Sequence, residues 1–319
     1  MPLFPTSRRR ILAGSAAALF VPRTTAAQAL MKLTVGTGPI DDSTPVLAGV
    51  HAGIYQRHGL DVEVQQFQSG AAMAAAVVGG SLQIGGSAIM GLLLGHLRGV
   101  PFRIVTPGSM YVSEKPAMAL LVRKDSPIRR AADLNGKTIA SPALHDLFSA
   151  ATLAWIDANG GDASSVRQVE VPPAATLPAI EAGRIDAAMI VEPRLSQGLR
   201  SGNVRVLAKA YDAIGKRFLV AAEFSTVEFI NANRELAERF TRAQFEAHAY
   251  ANAHPAETAP WLAEFAKVDV DTIRASTREV FAESLSLPDI QRVIDAAVKY
   301  KLIDHGFDAR EIVSPLLLS

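Results

Sequence analysis

Met31-Lys32-Leu33-Thr34-Val35-Gly36 is an apolar, strand-forming run that breaks into the turn residues Gly38-Pro39-Ile40-Asp41-Asp42. Ser43 or Thr44 is placed to cap a helix, and Pro45 falls in its first turn, where a missing N–H costs nothing. That helix closes at Gly59 after His58, a usual C-terminal signal. Leu60-Asp61-Val62-Glu63-Val64 then alternates apolar and polar and reads as a strand. A strand, a helix and a strand in this order make a parallel βαβ unit, because parallel neighbours need a crossover between them.

The same grammar continues outward. An Ala-rich helix is expected over residues 71–78, a strand over 82–84, a helix over 88–97 and a strand over 102–106. A second series follows, with strands at 117–122, 138–140, near Val169 and at 187–191, and helices at 144–158 and 176–182. One element occurs in both series. Ala74-Ala75-Ala76-Val77-Val78-Gly79-Gly80-Ser81-Leu82-Gln83-Ile84 has the layout of Leu177-Pro178-Ala179-Ile180-Glu181-Ala182-Gly183-Arg184-Ile185-Asp186-Ala187: a helix closed by Gly, a short turn and an apolar strand. After a strand at 218–222 the pattern becomes helical, over 231–253, 257–266, 270–275 and 288–300, with no strand expected between. The expected class is α/β and two-lobed, each lobe a sheet flanked by helices, with a helical C-terminal tail. The lobes are assigned as residues 30–112, then 113–208, with 209–319 returning to the first lobe. Without a low-complexity linker, strands near Ala117 and Leu207 are expected to cross between them.

The 319 residues exceed one ordinary core, and 49% apolar with 20% charged residues suits a well-buried chain. The net charge of +1 is unevenly spread. Arg8, Arg9, Arg10 and Arg23 are four of the 32 basic residues, and no acid precedes residue 30, so the remainder holds 28 basic against 31 acidic side chains. That balance gives no field for a polyanion, and nucleic acid is not an expected partner. Cysteine is absent, which rules out disulfides, thiolate metal sites and a Cys nucleophile.

Residues 1–29 read as an export signal. Ser7-Arg8-Arg9-Arg10-Ile11-Leu12 puts arginines before an apolar run, Ile11 to Val21, that is shorter than the ~20 residues of a membrane span. Pro22 ends the run, and Ala27-Gln28-Ala29 has the small-x-small pattern of a cleavage site. The arrangement resembles a twin-arginine signal, with an ordinary secretory signal as the alternative. Cleavage near Ala29 and a periplasmic location are expected.

Four ordered stretches resemble the nitrate/sulfonate/taurine family of periplasmic binding proteins, which also covers thiamine-pyrimidine precursor binders. They are Gly53-Ile54-Tyr55-Gln56-Arg57-His58-Gly59-Leu60-Asp61-Val62, Gln68-Ser69-Gly70-Ala71-Ala72, Ala132-Asp133-Leu134-Asn135-Gly136-Lys137, and Ala182-Gly183-Arg184-Ile185-Asp186-Ala187-Ala188 with Glu192-Pro193. The resemblance implies a type II periplasmic-binding-protein fold that captures a small polar organic or sulfonate/carboxylate-type ligand for an ABC importer. A membrane permease is then the expected partner, and the chain is expected to act as a monomer, without a cofactor, a metal or catalysis. Gln83 departs from the pattern, since the family often carries Asp there, which leaves Asp186 as the acid of the pair.

In such sheets a ligand sits beyond the carboxyl ends of the strands, where helix N-termini point. The loops expected there carry Thr37, Asp41 and Asp42 after the first strand, Ser69 and Gly70 after the second, and Ser87 after the third. Ser141 would open the first helix of the second lobe. Backbone N–H groups, short hydroxyls and helix dipoles suit an acceptor such as a sulfonate or carboxylate, although the same residues also cap helices in any fold. Asp41 and Asp42 suit a ligand amine or ring N–H, or alternatively Asx turns. Glu192 is expected to face the cleft from the second lobe, either toward ligand or as a latch between lobes. Tyr111 and Tyr211 suit an aromatic wall or core packing.

Catalytic patterns are sparse. His51, His58, His96, His145, His248, His254 and His305 form neither His-x-x-x-His nor His-Glu-x-x-His, and there is no Gly-x-Ser-x-Gly elbow. The alternatives that keep the same architecture are an enzyme resembling the thiamine-pyrimidine synthases or menaquinone-pathway enzymes, and a periplasmic sensor subunit.

Overall fold

A computed structural model of the chain describes Met1, residues 29–141, Leu144 and residues 146–318. The expected export signal therefore falls outside the described residues except at its ends, as do Pro142 and His145.

The first βα units follow the apolar runs. Strands β1 (Met31–Thr37), β2 (Leu60–Gln66), β3 (Ile84–Ala88) and β4 (Phe102–Pro107) alternate with helices at Thr44–His51, Ile54–Arg57, Gly70–Val78 and Ile89–Leu97. The single helix expected up to Gly59 is two, because Gly53 takes a left-handed φ of 67° and breaks it. The chain then runs through β5 (Ser109–Val112) into a second series: β6 (Met118–Arg123), β7 (Thr138–Ser141), β8 (Arg167–Glu170), β9 (Ala187–Val191) and β10 (Val204–Ala208). It returns as β11 (Arg217–Leu219) and β12 (Ala221–Thr226), and later adds β13 (Val280–Phe281).

These strands form two five-stranded sheets, β2-β1-β3-β12-β4 and β10-β6-β9-β7-β8, and a three-stranded sheet β11-β5-β13. In the first sheet β1, β2 and β3 are mutually parallel, while β12 enters antiparallel between β3 and β4. The chain passes between the large sheets through residues 113–117 and 209–216, next to the expected crossings. Tyr111, Tyr211 and Phe218 pack there, with ring centroids 5.1 to 5.2 Å apart, and all three are buried. The two tyrosines are core residues of the crossing and do not wall the cavity described below.

Two expectations need correction. The run expected as one strand at 218–222 is two strands in different sheets, divided at Val220. The C-terminal region is not wholly helical: Val280 and Phe281 pair with Met110 and Ser109. This pairing spans about 170 residues of chain, so no local periodicity announces it. The long Arg234–Ala253 helix packs on the first sheet and buries Leu236, Phe240 and Ala247 against Val35, Ile54 and Tyr55, while the Leu287–Lys299 helix packs on β11 and on the Leu147–Ala158 helix.

The repeated helix–turn–strand element does the same work in both lobes. The side chain of Asp186 accepts the N–H of Thr138, at the start of β7, at 2.8 Å. Gln83 accepts the N–H of Thr34, in β1, at 2.6 Å. The amide therefore replaces the acid in the first lobe without leaving the strand N–H unpaired.

Candidate ligand-binding site

A cavity of about 960 Å³ opens at the carboxyl ends of β1, β2 and β3. Its apolar wall includes Val46, Phe67, Met73, Val78, Leu92 and Phe102. Its polar lining comes from the loops that follow the strands. Thr37 ends β1. Ser69 caps the Gly70–Val78 helix by accepting the Ala72 N–H at 3.2 Å. Gly70 then starts that helix without a Cβ, and one built there would lie 3.1 Å from Ser87 Oγ. Thr37, Asp42, Ser69, Gly70 and Ser87 thus all line one space.

Asp41 does not line it. Its carboxylate is taken up by Arg278, with Nε at 3.0 Å from each oxygen and Nη2 at 2.6 Å from Oδ1. It also accepts the Glu279 N–H at 2.8 Å and the Thr44 hydroxyl at 2.7 Å. Arg278 donates further to Thr44 Oγ1 and to the Pro255 carbonyl. With side chains only 15% and 10% exposed, Asp41 and Arg278 clamp the 277–279 segment onto the first lobe. The carboxylate is saturated, and nothing remains for a guest.

That clamp sets Glu279 beside Asp42. Burial raises the pKa of both carboxyls, Glu279's well above the usual range; the Asp42 charge adds to the rise at Glu279, and the Asp41 and Glu223 charges to that at Asp42. Two carboxyls in such contact share a proton, as like charges do not both ionise readily. Glu223, 5% exposed, lines the cavity from β12. It accepts from Gln244 Nε2 and Thr106 Oγ1, both at 2.8 Å. Gln244 in turn accepts the Tyr55 hydroxyl at 2.5 Å and contacts His248, whose Nδ1 lies 2.7 Å from the Ala282 carbonyl. A buried polar chain therefore fixes the Glu223 carboxylate at the wall.

The fold and the cavity place this chain among known proteins. The NMT1/THI5-like family model matches residues 41–258, more than half of the sequence. The chain belongs to the NMT1/THI5-like family. No curated protein matches it in sequence. Among solved structures, the periplasmic aliphatic sulphonate binding protein SsuA of Escherichia coli is 20% identical, with 89% of this chain and 92% of that one covered and a TM-score of 0.72. The periplasmic nitrate-binding protein NrtA of Synechocystis PCC 6803 is 16% identical, with 90% and 86% covered and a TM-score of 0.73. The desulfurization enzyme DSZB is 15% identical, with 90% and 98% covered and a TM-score of 0.66. The NMT1/THI5-like chain therefore has the two-lobed periplasmic-binding-protein fold, and that fold also carries an enzyme.

Two further expected site residues of this NMT1/THI5-like chain lie apart from the cavity, both in the second lobe. Ser141 donates to Asp146 Oδ1 at 2.6 Å, and Asp146 caps the Leu147–Ala158 helix by accepting the Ser149 N–H. The serine hydroxyl is committed to the cap. Glu192 accepts the Thr277 N–H at 3.1 Å and is also bonded to Ser196, through both its hydroxyl and its N–H. Glu192 therefore bonds from the second lobe to the segment that carries Arg278 and Glu279. The sequence reading missed Ser109, Glu223, Arg278 and Glu279. Arg278 and Glu279 follow the last residues of a short helix, more than 230 positions from Asp41 and Asp42, with no motif to join them. Other Arg-Glu pairs, Arg234-Glu235 and Arg310-Glu311, occur in the same region, so the dipeptide itself does not single these residues out.

Proposed function

We propose that this chain is an extracytoplasmic solute-binding protein of an ABC importer, exported to the periplasm and holding one small polar organic molecule between its lobes. The lobes divide near residues 112 and 208, and the monomer delivers its guest to a membrane permease. The observation that carries this reading is the cavity itself. It sits where parallel strands end and helices begin, on a fold whose halves are linked by two crossings, and Thr37, Asp42, Ser69 and Ser87 converge on it from the ends of three separate strands. Ligand contacts made only in the closed form favour closure by their differential affinity. Release then needs a partner that reopens the lobes.

A native mass spectrum of the purified protein tests the reading directly, together with X-ray scattering before and after removal of any retained molecule. One bound small molecule and a decrease in radius of gyration on rebinding are expected. Turnover of that molecule by the protein alone would point instead to an enzyme on this fold, which the likeness to DSZB makes the second reading.

A further inference from the structure

The deep wall of the cavity is acidic, and among the described residues no cation neutralises it. Ser109 is 2% exposed and lines the cavity, yet its hydroxyl forms no well-aligned hydrogen bond although it stands beside both Asp42 and Glu279. Asp42 Oδ1 and Glu279 Oε2 are buried, and beyond each other and Ser109 they find no donor among the described residues. Glu223 adds a further carboxylate, which accepts from Gln244 and Thr106 and has His248 Nε2 at 3.7 Å. The nearest guanidinium, Arg278, is already spent on Asp41. Among the lining residues the one base is Arg98, which is exposed and caps the far end of the Ile89–Leu97 helix, about 13 Å away along its axis.

A metal ion is not the natural guest, since among the described residues no group of three or more His, Asp or Glu is arranged to hold one. An anion at this wall would meet acidic groups that no cation neutralises. An ammonium offers three N–H donors and a positive charge, and can take the place of the shared proton between the carboxyls. We propose, building on the binding role above, that Asp42, Ser109 and Glu279 form the head-group subsite for a protonated amine or amidine, whose apolar body lies along Phe67, Met73 and Leu92. The ligand class is thus an organic cation, in contrast to the sulphonate and nitrate named for the two binding proteins of like fold.

The guest requires Asp42 ionised, so affinity for a cation rises with pH through the range to which burial has lifted that carboxyl. The charged and titratable groups that face the pair are Asp41 with its Arg278 and Glu223, and Tyr211 faces Glu279, with Asp146 beyond it.

Calorimetry on the mature protein with 2-phenylethylamine, 2-phenylethanol and 2-phenylethanesulfonate tests the subsite, because the three share one apolar body. The amine is expected to bind at least about tenfold more tightly than either of the others, and more tightly at pH 8 than at pH 6. Asp42→Asn, checked for folding by circular dichroism and melting temperature, is expected to weaken the amine at least about tenfold. Sulfonate binding as tight as the amine's, binding of none of the three, or an Asp42→Asn variant of unchanged affinity would overturn the subsite. Compaction on sulfonate addition would do so while leaving the solute-binding role standing, so the two failures are separable.

Discussion

Glu192 Oε1 accepts the backbone N–H of Thr277 at 3.1 Å, so the edge of the second lobe holds the segment that carries Arg278 and Glu279. Two residues further on, that segment is anchored to the first lobe through Asp41. One short stretch of chain therefore reports the position of both lobes.

Loss of this link is expected to favour the open form. Glu192→Ala removes one hydrogen bond between the lobes, about 1 kcal/mol, and the cap on the Arg194–Ser201 helix, about 1 kcal/mol more. Ser196→Ala removes only part of the cap and serves as the control. Scattering should show a larger radius of gyration for Glu192→Ala than for Ser196→Ala, with faster ligand dissociation in stopped flow.

The clamp itself is tested by Arg278→Ala. The substitution leaves Asp41 with its charge and without its guanidinium, in a site only 15% exposed. Breaking such a pair costs about 3 kcal/mol. Urea unfolding of the variant should show a lower midpoint, and the double variant Arg278→Ala/Asp41→Ala should recover part of the loss.

Gly70 separates stability from binding. It opens a helix at an ordinary backbone angle, so Gly70→Ala adds helix propensity, up to about 1 kcal/mol. The new methyl stands 3.1 Å from Ser87 Oγ and projects toward the cavity lining. The expected outcome is a melting temperature equal to or above wild type, with ligand affinity reduced several-fold in calorimetry.

The carboxyl pair makes stability depend on pH. The folded pKa of both Asp42 and Glu279 is raised, by burial first; the Asp42 charge raises Glu279 further, while the hydrogen bond with Glu279 offsets part of the rise at Asp42. The folded state therefore holds more protons than the unfolded one, and the pair's contribution is fully present below the ordinary carboxylate range. It is lost as pH rises through the folded values. Glu279→Gln replaces the shared proton with an amide donor to Asp42 that does not titrate. Chemical unfolding should find the variant gaining on wild type from pH 5 to pH 8. A constant difference over that range would contradict the assignment.

The two copies of the helix–turn–strand element explain what the sequence could announce. Gly79 and Gly183 close helices, and the residues that follow enter β3 and β9, so spacing and punctuation located both lobes. The strand-end loops were legible for the same reason, and Thr37, Asp42, Ser69, Gly70 and Ser87 do converge on one cavity. Ser141 and Glu192 fit the same pattern but are occupied by neighbours, Asp146 in one case and Thr277 in the other. Hydrogen-bond partners of that kind depend on tertiary placement, which periodicity does not carry. The acidic wall was half legible: Asp42 lies in a recognisable turn, while Glu279 arrives through a two-residue strand and an ion pair spanning 237 positions.

Among the described residues the cavity lining comes from 36–109 and 221–223, on one side of the crossings. On the proposed binding role, the first lobe sets which guest is accepted and the second sets how long it stays. Substitutions on the far half should then alter residence time, while the menu of accepted molecules is rewritten from the near half.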